Sequence, residues 1–272
     1  MSDTTEVAAY FRRVGPQRFV PTAHATGAWT ADEQHFSPVA GLLVHEIQRM
    51  RTAEQRPAMA MSRITFDILG RVPVGEFEIE ARVVRPGRTI ELVEATAFAA
   101  GRAAVTARVW LMTPGDTASV AGGAPEPLPA PETQPRWAMD SLWPGGFIAS
   151  LDVRTVGEYL PGRAAAWVRT DLDLVEGERA DAVTSYLALV DTANGIAARE
   201  KPSDWMFPNL DLSIHLHRQP EGRWVGLDTS VVFGGTGQGL TTTVLHDLAG
   251  PVGYAQQILT VRPQPADWPP AR

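Results

Sequence analysis

The chain contains no cysteine. That excludes disulfides, thiol nucleophiles and cysteine-held metals. Lysine is nearly missing too: Lys201 is the single one, in a Glu-Lys-Pro loop that suits no Schiff base. Nowhere do apolar residues run to the roughly 18 needed to span a membrane, and the polar start MSDTTEVAAYFRR does not read as a secretory signal. The expectation is a cytoplasmic protein without a membrane span. Positive charge is also short. A formal net charge of −7 leaves no broad footprint for nucleic acid. There is no Gly-x-Ser-x-Gly elbow of the α/β serine hydrolases. The glycine run Gly234–Gly239 lacks the P-loop lysine and opens no helix, so it reads as a β-turn.

What is present is pattern. In Phe207–Leu227, residues Asn209, Asp211, Ser213, His215 and His217 alternate with Leu210, Leu212, Ile214 and Leu216. Period-2 alternation reads as a half-buried strand. Arg218-Gln-Pro-Glu-Gly222 ends it in a turn, and Trp224–Leu227 starts the return strand. The turn has a second copy: Arg71-x-Pro-x-Gly-x-Phe77 matches Arg218-x-Pro-x-Gly-x-Trp224 at 218 − 71 = 147 residues. At the same offset Gly87 meets Gly234 and Thr89 meets Thr236, while Gly101 meets Gly250 with a two-residue slip. A duplicated unit follows from this. Residues 1–113 and 142–272 are expected to form the two units, with a Pro/Gly/Ala-rich linker over 114–141, extended rather than packed.

Along the first unit, Val7, Tyr10, Phe11 and Val14 have helical spacing and predict a short helix over 4–14. Ser37 as N-cap and Pro38 at the first position predict a buried helix over 38–50. Strands are expected at 59–69, 76–85, 89–99 and 102–112. The second unit offers strands near 148–156 and 163–172, and a helix over 182–199. A second meander follows at 207–217, 223–233, 239–247 and 251–262. Helix plus meander, taken twice, is an α+β architecture.

Among residues able to carry chemistry, Asp191 stands among apolar neighbours in the second helix. It either turns to solvent or needs partners inside. Asn209 opens the central strand. Gln256 and Gln257 lie in the last strand on opposite faces, so one of them faces the helix. Asp211 shares a face with Asn209, so alternation leaves it a candidate, with a structural hydrogen bond the preferred reading. His215 and His217 could pair on a metal, but no third ligand stands at a convincing spacing, so no metal site is assigned.

These residues resemble the TesB-like (type II) acyl-CoA thioesterases. The resemblance rests on Trp29, Gln34-His35-Phe-Ser-Pro38, Val84-Arg-Pro-Gly-Arg88, Tyr186…Asp191, Phe207-Pro-Asn-Leu-Asp-Leu212 and Gln257. It implies a tandem (double) hotdog fold, two helix-plus-antiparallel-sheet units in one chain, and a role in lipid metabolism. It further implies hydrolysis of an acyl-CoA to free acid and CoA, by water held by Asp191, Asn209 and Gln257. No cofactor is implied beyond the coenzyme A thioester as substrate. Gln257 is preferred to Gln256 because the family's Gln precedes the strand-ending arginine, here Arg262, by five residues. The chain departs from the family in carrying Phe36-Ser37 where many relatives have Gly-Gly, and Asn209 where a hydroxyl often stands.

In the first half the offset puts Val44 or His45, Ser62 and Arg108 opposite the trio, so one active site per chain is expected. Arg85 and Arg88, flanking a Pro-Gly turn, are candidates for phosphate contacts. Further association of whole chains is open. Two rival readings stand beside hydrolysis: a hydratase or dehydratase on the same fold, requiring His35 or His45 to meet a carboxylate, and a non-catalytic acyl-binding protein.

Overall fold

The computed structural model describes residues 8–27 and 29–265. The first half opens with a hairpin, β1 (Ala9–Arg13) and β2 (Arg18–Pro21), followed by helix α1 (Phe36–Ala53). A meander follows: β3 (Ala60–Ile68), β4 (Phe77–Arg85), β5 (Ile90–Ala99) and β6 (Arg102–Met112). The second half repeats that order. A helical turn α2 (Gly146–Ala149) leads into the hairpin β7 (Leu151–Leu160) and β8 (Arg163–Thr170), then the short β9 (Asp173–Val175). Helices α3 (Ala182–Val190) and α4 (Ala193–Ile196) and the two-residue β10 (Trp205–Met206) precede the second meander. That meander comprises β11 (Asp211–Leu216), β12 (Val225–Phe233), β13 (Gln238–Asp247) and β14 (Gly250–Thr260); β15 (Arg262–Pro263) pairs with β10.

Among the described residues thirteen strands form one sheet in the order β7-β8-β12-β13-β14-β11-β3-β6-β5-β4-β2-β1-β9. The halves join where β11 and β3 run antiparallel, with Phe66 opposite Leu212 and Thr65 opposite Ser213. Those pairs straddle the point where the 147-residue offset maps the seam onto itself, as an internal twofold requires. The helices obey the same symmetry. A Cβ on Gly41 would stand 2.4 Å from the Cβ of Ala188, its own mate at 188 − 41 = 147, so glycine is what lets α1 and α3 touch there.

The core lies between helices and sheet. Leu42, Leu43, Val44 and Ile47 of α1 are wholly buried, each contributing on the order of 1.5–3 kcal/mol. Buried residues dominate its first three turns, as the apolar circumference predicted. Among the described residues no helix is long and apolar enough to cross a membrane.

Several expectations change. The helix expected over 4–14 is strand β1 from Ala9 on; residues 4–7 lie outside the described residues. Ala9, Tyr10 and Phe11 are all buried because the strand is covered on both faces, Tyr10 by Phe147 and Phe11 by Phe77. Burial on both faces imitates helical spacing. Helix α1 starts two residues early, capped by the His35 ring, whose Nδ1 accepts the Ser37 N–H at 3.1 Å; Ser37 is therefore inside the helix. The strand expected from 148 starts at Leu151, after a helical turn. The helix expected to reach 199 stops at Val190 and resumes for four residues, with Thr192, Asn194 and Gly195 bonding three residues back. The stretch 131–143 is not a free spacer. Trp137 N–H bonds Val153 O, and Met139 and Trp143 are buried.

Candidate active site

Asp191 is the C-cap residue of α3 and is 6% exposed. Its Oδ1 accepts from Asn209 Nδ2 at 2.8 Å and from Gln257 Nε2 at 2.8 Å. The three residues named from the sequence therefore converge on one carboxylate oxygen. Among the described residues no donor bonds Oδ2; the nearest basic atom is His35 Nδ1 at 3.9 Å. Burial raises the Asp191 pKa from 3.8 to about 6, against the opposing pull of the two amide hydrogen bonds. Burial also lowers the His35 pKa to about 3, so that ring is neutral. With Nδ1 accepting from Ser37, its proton sits on Nε2.

Strict alternation would put Asn209 on the same face as Asp211. It does not lie there, and the reason is local. Ser213 pairs with Gln256, but Asn209 bridges Leu259. Four steps along the central strand answer three along β14, which is a β-bulge and reverses the facing. Asp211 holds it, accepting the Ile258 N–H on Oδ1 at 2.7 Å while its carbonyl takes a second bond from Asn209 Nδ2 at 3.0 Å. The structural role expected of Asp211 is what it performs. Leu210, expected inside, is turned out and is 49% exposed.

Gln257 is buried and Gln256 exposed, the facing the strand requires. Gln257 Oε1 finds no partner among the described residues, a cost of about 1–3 kcal/mol for a buried acceptor that a purely structural amide would avoid. Asp191 and Asn209 open onto a cavity of about 570 Å³, as do His35, Phe36, Trp29 and Trp143. Gln257 is not on its wall; it reaches the cavity through Asp191.

In the first half Val44 is core, Ser62 Oγ donates to Trp110 O, and Arg108 pairs with Glu94 at 2.8 Å. No carboxylate–amide set forms there. His45 does meet a carboxylate, Glu178 at 2.9 Å, but Arg13 clamps Glu178 at 2.5 Å and Glu46 at 2.6 Å. His45, Glu46 and Glu178 cluster closely enough to suggest a metal; the guanidinium already supplies the positive charge. Arg85 and Arg88 lie off the cavity, Arg85 bonding Ile90 O beside the Trp110 ring.

The family model of the acyl-CoA thioesterase C-terminal domain matches residues 124–261, and that of the N-terminal domain matches residues 25–112. The chain belongs to the acyl-CoA thioesterase family. Solved structures agree in fold. A protein of unknown function with hot dog fold from Alicyclobacillus acidocaldarius superposes with a TM-score of 0.72 at 15% identity, covering 96% of this chain and 98% of its own. The tesB protein of Mycobacterium avium subs paratuberculosis gives 0.65 at 17% identity, covering 93% and 96%. Acyl-CoA thioesterase II TesB2 from Mycobacterium marinum gives 0.63 at 15%, again covering 93% and 96%. No curated protein sequence matches the thioesterase chain. The double hotdog that the family resemblance implied is thus its fold, and thioester hydrolysis its class of activity.

Sequence reasoning did not find the wall residues Met139 and Trp143 of this thioesterase. Two tryptophans inside a proline-rich stretch, Trp137 and Trp143, were the available signal, since a solvated spacer has no use for them.

Proposed function

We propose that this thioesterase hydrolyses acyl-CoA with a water activated by Asp191. The observation that carries the reading is the pair of amide donors converging on one oxygen of a buried carboxylate, while the other oxygen is free of donors. Oδ2 takes a proton from the water as its oxygen attacks the thioester carbon. Asn209, whose Nδ2 donates to Asp191 and to the Asp211 carbonyl, accepts the remaining hydrogen on Oδ1. Gln257 holds the carboxylate from behind. Collapse of the tetrahedral intermediate breaks the carbon–sulfur bond, and the CoA thiolate recovers the proton from Asp191. The first N–H of α1, on Phe36 at the cavity wall, is a donor for the thioester oxygen, because Ser37 N–H is already used and Pro38 has none. No cofactor enters this scheme.

At the mouth, Arg71 and Arg262 are exposed and border the cavity. Arg71 is only loosely paired, 3.9 Å from Asp32 and 4.0 Å from Glu33. They replace Arg85 and Arg88 in this reading as contacts for coenzyme A phosphates. The division into units 1–113 and 142–272 stays with the proposal, since hydrolysis then uses the second unit's carboxylate beside the first unit's helix start. The hydratase alternative needs a histidine base bonded to a carboxylate at the cavity; His35 Nδ1 is engaged by a backbone N–H, and the His45–Glu178 pair is clamped by Arg13 and does not line the cavity.

The test is thiol release from acyl-CoA by Asp191→Asn. Turnover should fall roughly 10²–10⁴-fold with the melting temperature not lowered. Unchanged turnover in the folded variant ends the assignment.

A further inference from the structure

We propose that Trp143, carried by the segment between the two halves, closes the acyl end of the pocket and restricts this enzyme to short acyl groups. The inference rests on the thioesterase reading. Gly195 lies four residues beyond Asp191, about 6 Å along a helical path. Trp143 donates its indole N–H to Gly195 O at 3.1 Å. A Cβ on Gly195 would lie 2.9 Å from Met139 Cε and 3.1 Å from Trp143 Nε1, so the missing side chain is replaced by these two.

Trp143 is held from the other side as well. Its ring stands edge-on to Trp29 at 5.1 Å and to Phe207 at 5.7 Å, and Trp29 stands edge-on to Phe207 at 5.3 Å. Three mutually edge-on rings and a hydrogen bond fix the indole against the pocket. A chain growing from the reacting carbon meets this wall one helical turn past the carboxylate.

Behind the wall lies a second cavity of about 470 Å³. It is lined by Leu142 and Ile196, the neighbours of Trp143 and Gly195, and by Trp137, Val156 and Ala165. Residues of 137–143 and of helix α4 line both spaces, so the indole is the proposed barrier between the acyl pocket and the groove.

The experiment compares kcat/KM for acetyl-, butyryl-, octanoyl- and palmitoyl-CoA in the full chain. The wild type should favour acetyl and butyryl. Trp143→Ala should raise the octanoyl-to-butyryl ratio by about tenfold or more, the scale of a few methylenes gaining or losing a pocket. Adding Val156→Trp, which fills the groove, should return the ratio toward the wild-type value. Should Trp143→Ala lose its cooperative melting transition, Met139→Ala opens the same wall and carries the same comparison. A wild type that prefers palmitoyl-CoA, or an unchanged ratio in the folded variant, overturns the inference while leaving hydrolysis standing. A chain inert to the whole panel overturns the thioesterase reading and this inference with it.

Discussion

Under the proposed mechanism Asp191 ties activity and stability to one proton. Its folded-state pKa, about 6, lies above the ordinary 3.8 because burial disfavours the charge. Between those values the folded protein keeps a proton the unfolded chain has lost, so stability falls as pH rises through about 6. The ionised residue therefore costs about 3 kcal/mol above that pH, relative to acid conditions. Asp191→Asn should melt higher than wild type at pH 8 and lose that gain near pH 4, as differential scanning calorimetry can check. In the proposed mechanism activity has the opposite slope, since Asp191 as base works ionised: kcat/KM should rise with pH and level off above about 6. Gln257→Ala removes a bond that favours the charged form, so its acid limb should move to higher pH. A residue with a merely structural role would lower activity without moving that limb. Asp191, Asn209 and Gln257 were legible from order and spacing plus family resemblance. Their contact was not, because Asn209 faces Asp191 through a bulge, and a bulge is a one-residue slip that alternation conceals.

The elements divide by how cleanly their periodicity reports burial. Apart from the bulge at Asn209, the meander strands were readable because one face is buried and the other less so, as in β5, where buried and half-buried residues alternate throughout. β1 was misread because both faces are covered, although the repeat already pointed to a strand: Ala9–Arg13 precedes α1 as β7 precedes α3. Residues 131–141 of the expected linker pack, because proline content says nothing about whether a tryptophan such as Trp137 finds a pocket. β1 also brings Arg13 between Glu46 of α1 and Glu178, with parallel pairing to β9 alongside. Hydrogen bonds from Arg13 push Glu178 down to about 2 against the penalty of burial. Glu46 is 4% exposed, so removing the guanidinium leaves a buried carboxylate with Arg49 as its remaining cation. Arg13→Met should cost about 3 kcal/mol in urea denaturation at pH 7. A loss below about 0.5 kcal/mol, the range of surface pairs, would show that the clamp is solvated and immaterial.

At the scale of the whole molecule the proposed site draws on both halves: the carboxylate comes from the second, and the helix start that faces it from the first. This depends on α1 and α3 crossing at a fixed distance, and the crossing residues are repeat-mates, Gly41 and Ala188. A methyl at 41 would approach the Ala188 backbone as well, at 2.9 Å to Cα, so side-chain rotation cannot relieve it. Gly41→Ala should therefore destabilise by about 1–3 kcal/mol, the cost of overpacking, although alanine is the better helix former. If the twofold relation governs the contact, exchanging the two side chains should be tolerated where adding one is not. Ala188→Gly alone should cost about 0.5–1 kcal/mol through helix propensity. Placed on top of Gly41→Ala it should instead restore stability, because the methyl has only crossed the axis. The measurement is a double-mutant cycle from chemical denaturation, with thiol release followed in parallel. Simple additivity of the two losses would mean that the helices do not meet at this pair, and the fixed crossing that aligns Asp191 with the start of α1 would have to be sought elsewhere.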